Sequence, residues 1–172
     1  MNNAKIPILG FTAASGTGKT TLLTQLIPSL KVQGLRIGLI KHSHHNIQID
    51  QPGKDSYRLR EAGASPVMLV SSHRRAIITE FEEIKEPVLD EQLLAFDQSH
   101  LDLILVEGFK QSRFPKIELH RQALTSPLRY PSDPDIVAVA SDVQLDLPSP
   151  LTLLDLNQPE HIARFIIDRF LS

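Results

Sequence analysis

The stretch "AASGTGKTTLL", residues 13–23, decides how the chain is read. In a glycine-rich turn, consecutive backbone N–H groups converge on phosphate oxygens, and the helix that follows adds the positive end of its dipole. Gly16 and Gly18 supply the backbone freedom such a turn demands, Lys19 reaches the β and γ phosphates, and the hydroxyl of Thr20 is placed to hold Mg²⁺. Ser15, Thr17 and Thr21 complete the expected nucleotide-binding set. The pattern G-x-x-x-x-G-K-[ST] is met at Gly18, Lys19 and Thr20 and missed at its first glycine, where Ala13 stands. Alanine at the end of a strand is tolerable there if its φ is negative.

Working outward, "IPILGFTA" before the loop reads as a buried strand. "KTTLLTQLIPSLKVQG" after it reads as a helix, with Leu22, Leu23, Leu26, Ile27 and Leu30 at helical spacing, Pro28 as a kink or weakened turn and Gly34 as its stop. Further apolar runs, "LRIGLIKH", "SPVMLVSS", "LDLILVEG", "DIVAVASD" and "LTLLDL", lack alternation, as strands buried on both faces of a parallel sheet do. Helices are expected from Asp55 to Gly63, over "LDEQLLAFDQS" and over "PEHIARFIIDRFL", whose Ile162, Phe165, Ile166 and Phe170 share a face. "RRAIITEF" and "PKIELHRQAL" read as antiparallel additions at a sheet edge or in an excursion used for association, and "RQALTSPLRYPSDPD" as a loop. The whole is an α/β chain: a single nucleotide-binding domain over residues 1–172, with a three-layer P-loop NTPase fold and a mostly parallel, mixed-edge sheet flanked by helices.

Ligands of a parallel sheet gather at the carboxyl ends of its strands, which ranks the remaining polar residues. Glu107 follows four apolar residues in "LDLILVEGF" and is the expected Mg²⁺ partner of Thr20, with Gly108 allowing close approach of a γ phosphate; Asp102 lies at the wrong end of the same run. "KHSHHNIQID" also emerges at the carboxyl edge. His42, His44 and His45 there are open to three readings: a transition-metal site, contact with nucleotide or substrate, or a solvated loop. Lys41 or a histidine meets phosphate charge in the second of these. For hydrolysis, Lys19 stabilises charge at the phosphates while Asp50 or Asp55 orients water, making these three the catalytic expectation. Asp142, closing "IVAVASD", is placed to accept from guanine N1 and N2, or is an ordinary strand-end turn; it lacks the Asn-Lys pair usual in GTPases.

Composition sets the surroundings. A formal net charge of -2 gives no global attraction to nucleic acid or an anionic membrane, and no run approaches the roughly 20 apolar residues needed to span a bilayer. The absence of cysteine excludes thiolate chemistry and suits a reducing compartment. A soluble, cytoplasmic protein is expected.

Taken in order and spacing, "AASGTGKTTLL", "GLIKHSHH", "PGKDSYRLREAGA", "LDLILVEGFK" and "VAVASD" resemble the molybdopterin-guanine dinucleotide biosynthesis adapter family, the MobB proteins, over nearly the whole chain. The resemblance implies GTP binding with Mg²⁺, weak hydrolysis, homodimers and cooperation with the guanylyltransferase that attaches GMP to the molybdenum-bound pterin, with molybdopterin itself an implied ligand. The residues alone leave two other classes open. A small-molecule kinase needs an arginine-rich lid, for which Arg58, Arg60, Arg74, Arg75, Arg113 and Arg121 are scattered candidates; a metal-delivery GTPase rests on the histidines.

Overall fold

The apolar run before the glycine-rich loop becomes a strand at the middle of a parallel sheet, and the leucine-rich run after it becomes a helix. In the computed structural model, which describes residues 1–43 and 47–171, β1 (Ile8–Ala13) lies between β5 (Leu103–Glu107) and β6 (Lys116–His120). Outside them stand β2 (Ile37–Lys41) on one flank, and β7 (Ile136–Ser141) and β8 (Thr152–Asp155) on the other. The six strands run in the order β2-β5-β1-β6-β7-β8 and every pairing is parallel.

Alternation along these strands splits the core into two layers. Leu9, Phe11, Leu103, Leu105, Ile117, Leu119, Ala138 and Ala140 pack with Leu22, Leu23, Leu26 and Leu30 of α1 (Lys19–Val32) and with Ile162, Ala163 and Ile166 of α4 (Pro159–Phe170). On the other face, Ile8, Ile104 and Val106 meet Leu89 and Leu93 of α3 (Leu89–Ala95), with Phe109 and Phe114. Phe165 and Phe170 sit at the margin of the first layer, as their spacing predicts. Leu26 is fully buried there, and truncating such a leucine to alanine costs about 2–5 kcal/mol. The helix α1 runs unbroken past Pro28. Its end is closed by Leu35 N–H to the Leu30 carbonyl (3.4 Å) and Gly34 N–H to the Lys31 carbonyl (2.9 Å), the Schellman pattern.

The backbone divides into two compact units, Met1–His42 with Pro87–Ser172, which holds everything above, and Ser43–Glu86. The second unit contains α2 (Asp55–Glu61) and an antiparallel ribbon of β3 (Val67–Val70) and β4 (Arg75–Ile78), with Met68, Val70, Ile77, Phe81 and Ile84 exposed. Two strand expectations are corrected here. "SPVMLVSS" joins this ribbon and not the parallel sheet, because an unbroken apolar run does not distinguish a strand buried on both faces from an exposed apolar one. "PKIELHRQAL" is not an antiparallel addition: β6 is central and parallel, and its charged residues are buried because each is matched. Lys116 Nζ lies 3.1 Å from Asp133 Oδ2 and 3.7 Å from Asp135 Oδ2, and Glu118 accepts the backbone N–H groups of Arg129 (2.7 Å) and Tyr130 (3.0 Å). These bonds fasten the proline-rich loop after β6, which opens with a 3₁₀ turn at Gln122–Leu124. Among the described residues, no helix is long and apolar enough to cross a membrane.

Candidate functional site

Residues 14–18 leave β1 and enter α1 as a tight loop in which Gly16 (φ 80°) and Gly18 (φ 96°) take left-handed backbone, as the sequence requires of them. Ala13 is not among the positive-φ residues, so alanine meets no left-handed backbone penalty where the pattern has its first glycine. Thr17 is buried and bends back on Ala14, its N–H and Oγ reaching the Ala14 carbonyl at 3.4 and 2.9 Å. Gly18 occupies the N-cap of α1 and no side chain caps the helix, so the first-turn N–H groups have no partner from a cap. Ser15, Gly16, Thr20 and Thr21 are exposed around this turn. The result is a cluster of uncapped donors with the dipole of a 14-residue helix behind it, an arrangement suited to an anion.

Glu107 closes β5 beside the loop, in register with Phe11 of β1 and Lys41 of β2. Its Oε1 lies 3.6 Å from Lys19 Nζ and its Oε2 3.3 Å from Lys41 Nζ, and its side chain is 13% exposed. Lys19, Thr20 and Glu107, picked out from the sequence, are therefore brought to one sheet edge. The donor set fits Mg²⁺: an exposed hydroxyl on the first helical turn and a carboxylate whose negative charge is already drawn towards the loop lysine. His42 follows directly. Its N–H donates to the Glu107 carbonyl (2.8 Å) and its ring packs on Phe109 with centroids 4.8 Å apart. Gly108 (φ 97°) is required by His42, because a Cβ on it would stand 2.7 Å from the His42 Cβ.

On the opposite flank Arg121, the residue after β6, donates through Nε to the Thr17 carbonyl (3.2 Å) and faces Asp142 Oδ2 at 3.5 Å. Asp142 Oδ1 accepts the Gln122 N–H (2.9 Å). A cavity of about 450 Å³ opens next to the loop, lined by Ala14, Thr17, Glu118, Arg121, Arg129 and neighbouring residues of the segment after β6. Burial foremost, then the two backbone donors opposing it, governs the Glu118 carboxyl, whose net shift is upward. Lys110 is held below its ordinary value, first by burial and then by the charges of Arg129 and Lys19. Arg129 and Lys19 thus lie near enough to Lys110 for their charges to disfavour its charged form.

The remaining expectations fall elsewhere. Asp102, discounted from its position, binds Arg36 at the amino end of the sheet through bonds of 2.7 to 3.0 Å, which hold its carboxyl down to about 2. Asp50 and Asp55 belong to the second unit. Asp50 is buried with Arg60 on both oxygens (3.2 and 3.5 Å), while Asp55 is exposed at the start of α2. Arg60 also meets Glu80 at 2.6 Å and lies over the Tyr57 ring. His44 and His45 lie outside the described residues, and no group of three His, Cys, Asp or Glu able to hold a metal occurs among those described. Sequence reasoning missed Lys110, Arg129 and Glu118, and weighed Arg121 only as one of several scattered arginines. Had β6 been recognised as a parallel strand, the residue after it would have been expected at the ligand edge.

Residues 8–142 match the protein-family model "MobB: Molybdopterin guanine dinucleotide synthesis protein B". The chain is similar to molybdopterin-guanine dinucleotide biosynthesis adapter proteins of Haemophilus influenzae and Escherichia coli, each 51% identical, over 96% and 95% of this chain and 90% and 93% of theirs. A crystal structure of molybdopterin-guanine biosynthesis protein B (mobB) superposes with a TM-score of 0.73 at 26% identity, covering 94% of this chain and 98% of that one. Bacillus subtilis MobB shares the fold, with a TM-score of 0.75 at 20% identity over 96% of this chain and 98% of its own.

Proposed function

This chain belongs to the MobB family, and on that footing we propose that it is an adapter of molybdopterin guanine dinucleotide synthesis that binds GTP with Mg²⁺ and hydrolyses it slowly. The names of its relatives support the biosynthetic role. Its partner in this reading is the guanylyltransferase of the pathway, with molybdopterin as a further ligand and the cytoplasm as its place of work. One observation carries the nucleotide site: an uncapped helix start, two left-handed glycines, Lys19 and Glu107 meet at the carboxyl edge of a parallel sheet.

The loop N–H groups from Ser15 to Thr21 bind the phosphates, and Lys19 neutralises charge between the β and γ positions. Thr20 and Glu107 would hold Mg²⁺, which supplies a Lewis acid for the same charge. With nucleotide bound, Lys19 exchanges a carboxylate for phosphate and leaves Glu107 to face the metal. Asp142 is the residue offered to the guanine, whose N–H donors then compete with Arg121 for its Oδ2. Asp50 and Asp55 are the carboxylates proposed to orient water. Of the two, Asp55 is the more available, since Arg60 occupies Asp50. His42, stacked beside Glu107, is placed for nucleotide contact, and His44 and His45 are proposed to extend that segment for metal or substrate. The chain works as one nucleotide-binding domain, and the exposed apolar side chains of the β3–β4 ribbon support a homodimer.

Replacing Lys19 with alanine tests the site: nucleotide binding and turnover are both expected to vanish, and retained turnover in that variant would remove the phosphate-loop assignment. A second reading, a small-molecule kinase, draws on the 450 Å³ cavity beside Thr17, which has room for an acceptor. Nucleoside diphosphate produced only in the presence of an acceptor would favour it.

A further inference from the structure

The geometry points to Arg121 as a nucleotide-contacting residue that serves the inner phosphates of the bound nucleotide, an inference that rests on the phosphate-loop reading above. Four strands set the scene. Across the carboxyl edge stand Glu107 at the end of β5, the loop after β1, Arg121 after β6 and Asp142 after β7. Lys19 and Lys41 both lean towards Glu107, so the positive charge the loop pattern provides is concentrated on the β5 flank. Arg121 stands on the other flank, where Arg129 also lines the cavity beside the loop.

Its guanidinium is placed by three contacts. The Nε N–H donates to the Thr17 carbonyl at 3.2 Å, Nη1 faces Asp142 Oδ2 at 3.5 Å, and Nη2 lies 3.7 Å from where a Cβ on Gly18 would stand. The group therefore leans over the loop's last glycine while tied to the loop's own backbone. The Asp142 contact is longer than a hydrogen bond and joins side chains that are 37% and 20% exposed, so it holds Arg121 only weakly and yields to a phosphate at little cost. A nucleotide whose terminal phosphate lies on the Glu107 and Thr20 side, and whose base lies towards Asp142, carries its α and β phosphates past Arg121. A planar guanidinium with several donors suits that encounter. The competing role is a strut that only shapes the loop through the Thr17 carbonyl.

Two variants separate charge from strut. Arg121→Gln keeps an N–H donor for the Thr17 carbonyl and removes the charge; Arg121→Lys keeps the charge. Titration of wild type and both variants with Mg²⁺-GTP and Mg²⁺-GDP over a range of salt is the experiment, with thermal melts to show that the folded state is retained. Arg121→Gln is expected to weaken GTP and GDP alike by about 10- to 100-fold, the range for a charged hydrogen bond, and to flatten the salt dependence, while Arg121→Lys recovers most of the affinity. Wild-type affinity and salt slope in Arg121→Gln, with binding still lost in Lys19→Ala, would overturn the role of Arg121 and leave the phosphate site standing. Absence of GTP and GDP binding in the wild type would overturn both.

Discussion

Gly108→Ala is the substitution for which the structure gives the sharpest number. The residue after Glu107 has φ 97°, and an added Cβ would lie 2.7 Å from His42 Cβ, 3.3 Å from its carbonyl oxygen and 3.4 Å from its Cα. None of these atoms is the far end of a flexible side chain, so β2 and β5 must part where His42 N–H meets the Glu107 carbonyl. Left-handed backbone costs an alanine about 1–2 kcal/mol and overpacking about 1–3 kcal/mol more, together about 2–5 kcal/mol. Against a total stability of about 5–15 kcal/mol this is large, and in a chain of 172 residues it corresponds to a fall in melting temperature of about 4–20 °C. Gly16→Ala is the internal control. Its φ is 80°, but nothing lies within 4 Å of the added Cβ, so only the backbone cost of about 1–2 kcal/mol applies. Urea unfolding of both variants, followed by circular dichroism, measures the difference. Equal midpoints for Gly108→Ala and Gly16→Ala would refute the argument that close approach of His42 is what makes Gly108 necessary.

Three further outcomes are expected. Lys116→Ala strips the buried partner from Asp133 and Asp135 and should cost about 3–5 kcal/mol in denaturant unfolding, with Lys116→Met recovering part of it. Asp102 has a folded-state pKa of about 2 against an ordinary 3.8, so its contribution to stability is present above pH 3.8 and is lost as pH falls from there towards 2. Asp102→Asn should flatten that acid limb in pH-dependent melts and leave GTP binding unchanged. Glu107→Gln should reduce the gain in GTP affinity on adding Mg²⁺ at least about tenfold, equivalent to about 1.4 kcal/mol, while binding without Mg²⁺ is preserved or improved because Lys19 loses its competing carboxylate.

The glycine-rich loop and its flanking strand and helix were legible because their signals are local: glycines at fixed offsets, a lysine and hydroxyl after them, leucines at helical spacing. Glu107 was legible for the same reason, since strand direction alone puts it at the ligand edge and sends Asp102 to the other. The central, parallel place of β6 was not, although its run reads as a strand. Only the fold shows that Asp133, Asp135 and two backbone N–H groups from the following loop compensate the burial of its Lys116 and Glu118. Placing that strand at an edge also left Arg121 among scattered arginines, since only a parallel strand before it brings it to the carboxyl edge. Nor does apolarity reveal that Met68 and Val70 of β3 lie on an exposed ribbon, since an association surface and a core strand draw on the same residues.

The central claim is a guanine nucleotide site, and calorimetric titration with GTP and with ATP, each with and without Mg²⁺, tests it most directly. Saturable, Mg²⁺-strengthened binding of GTP, tighter than that of ATP, is the predicted result. Binding of neither nucleotide would contradict the phosphate site itself, and a preference for ATP would contradict the guanine reading and turn attention to the kinase and the cavity beside Thr17.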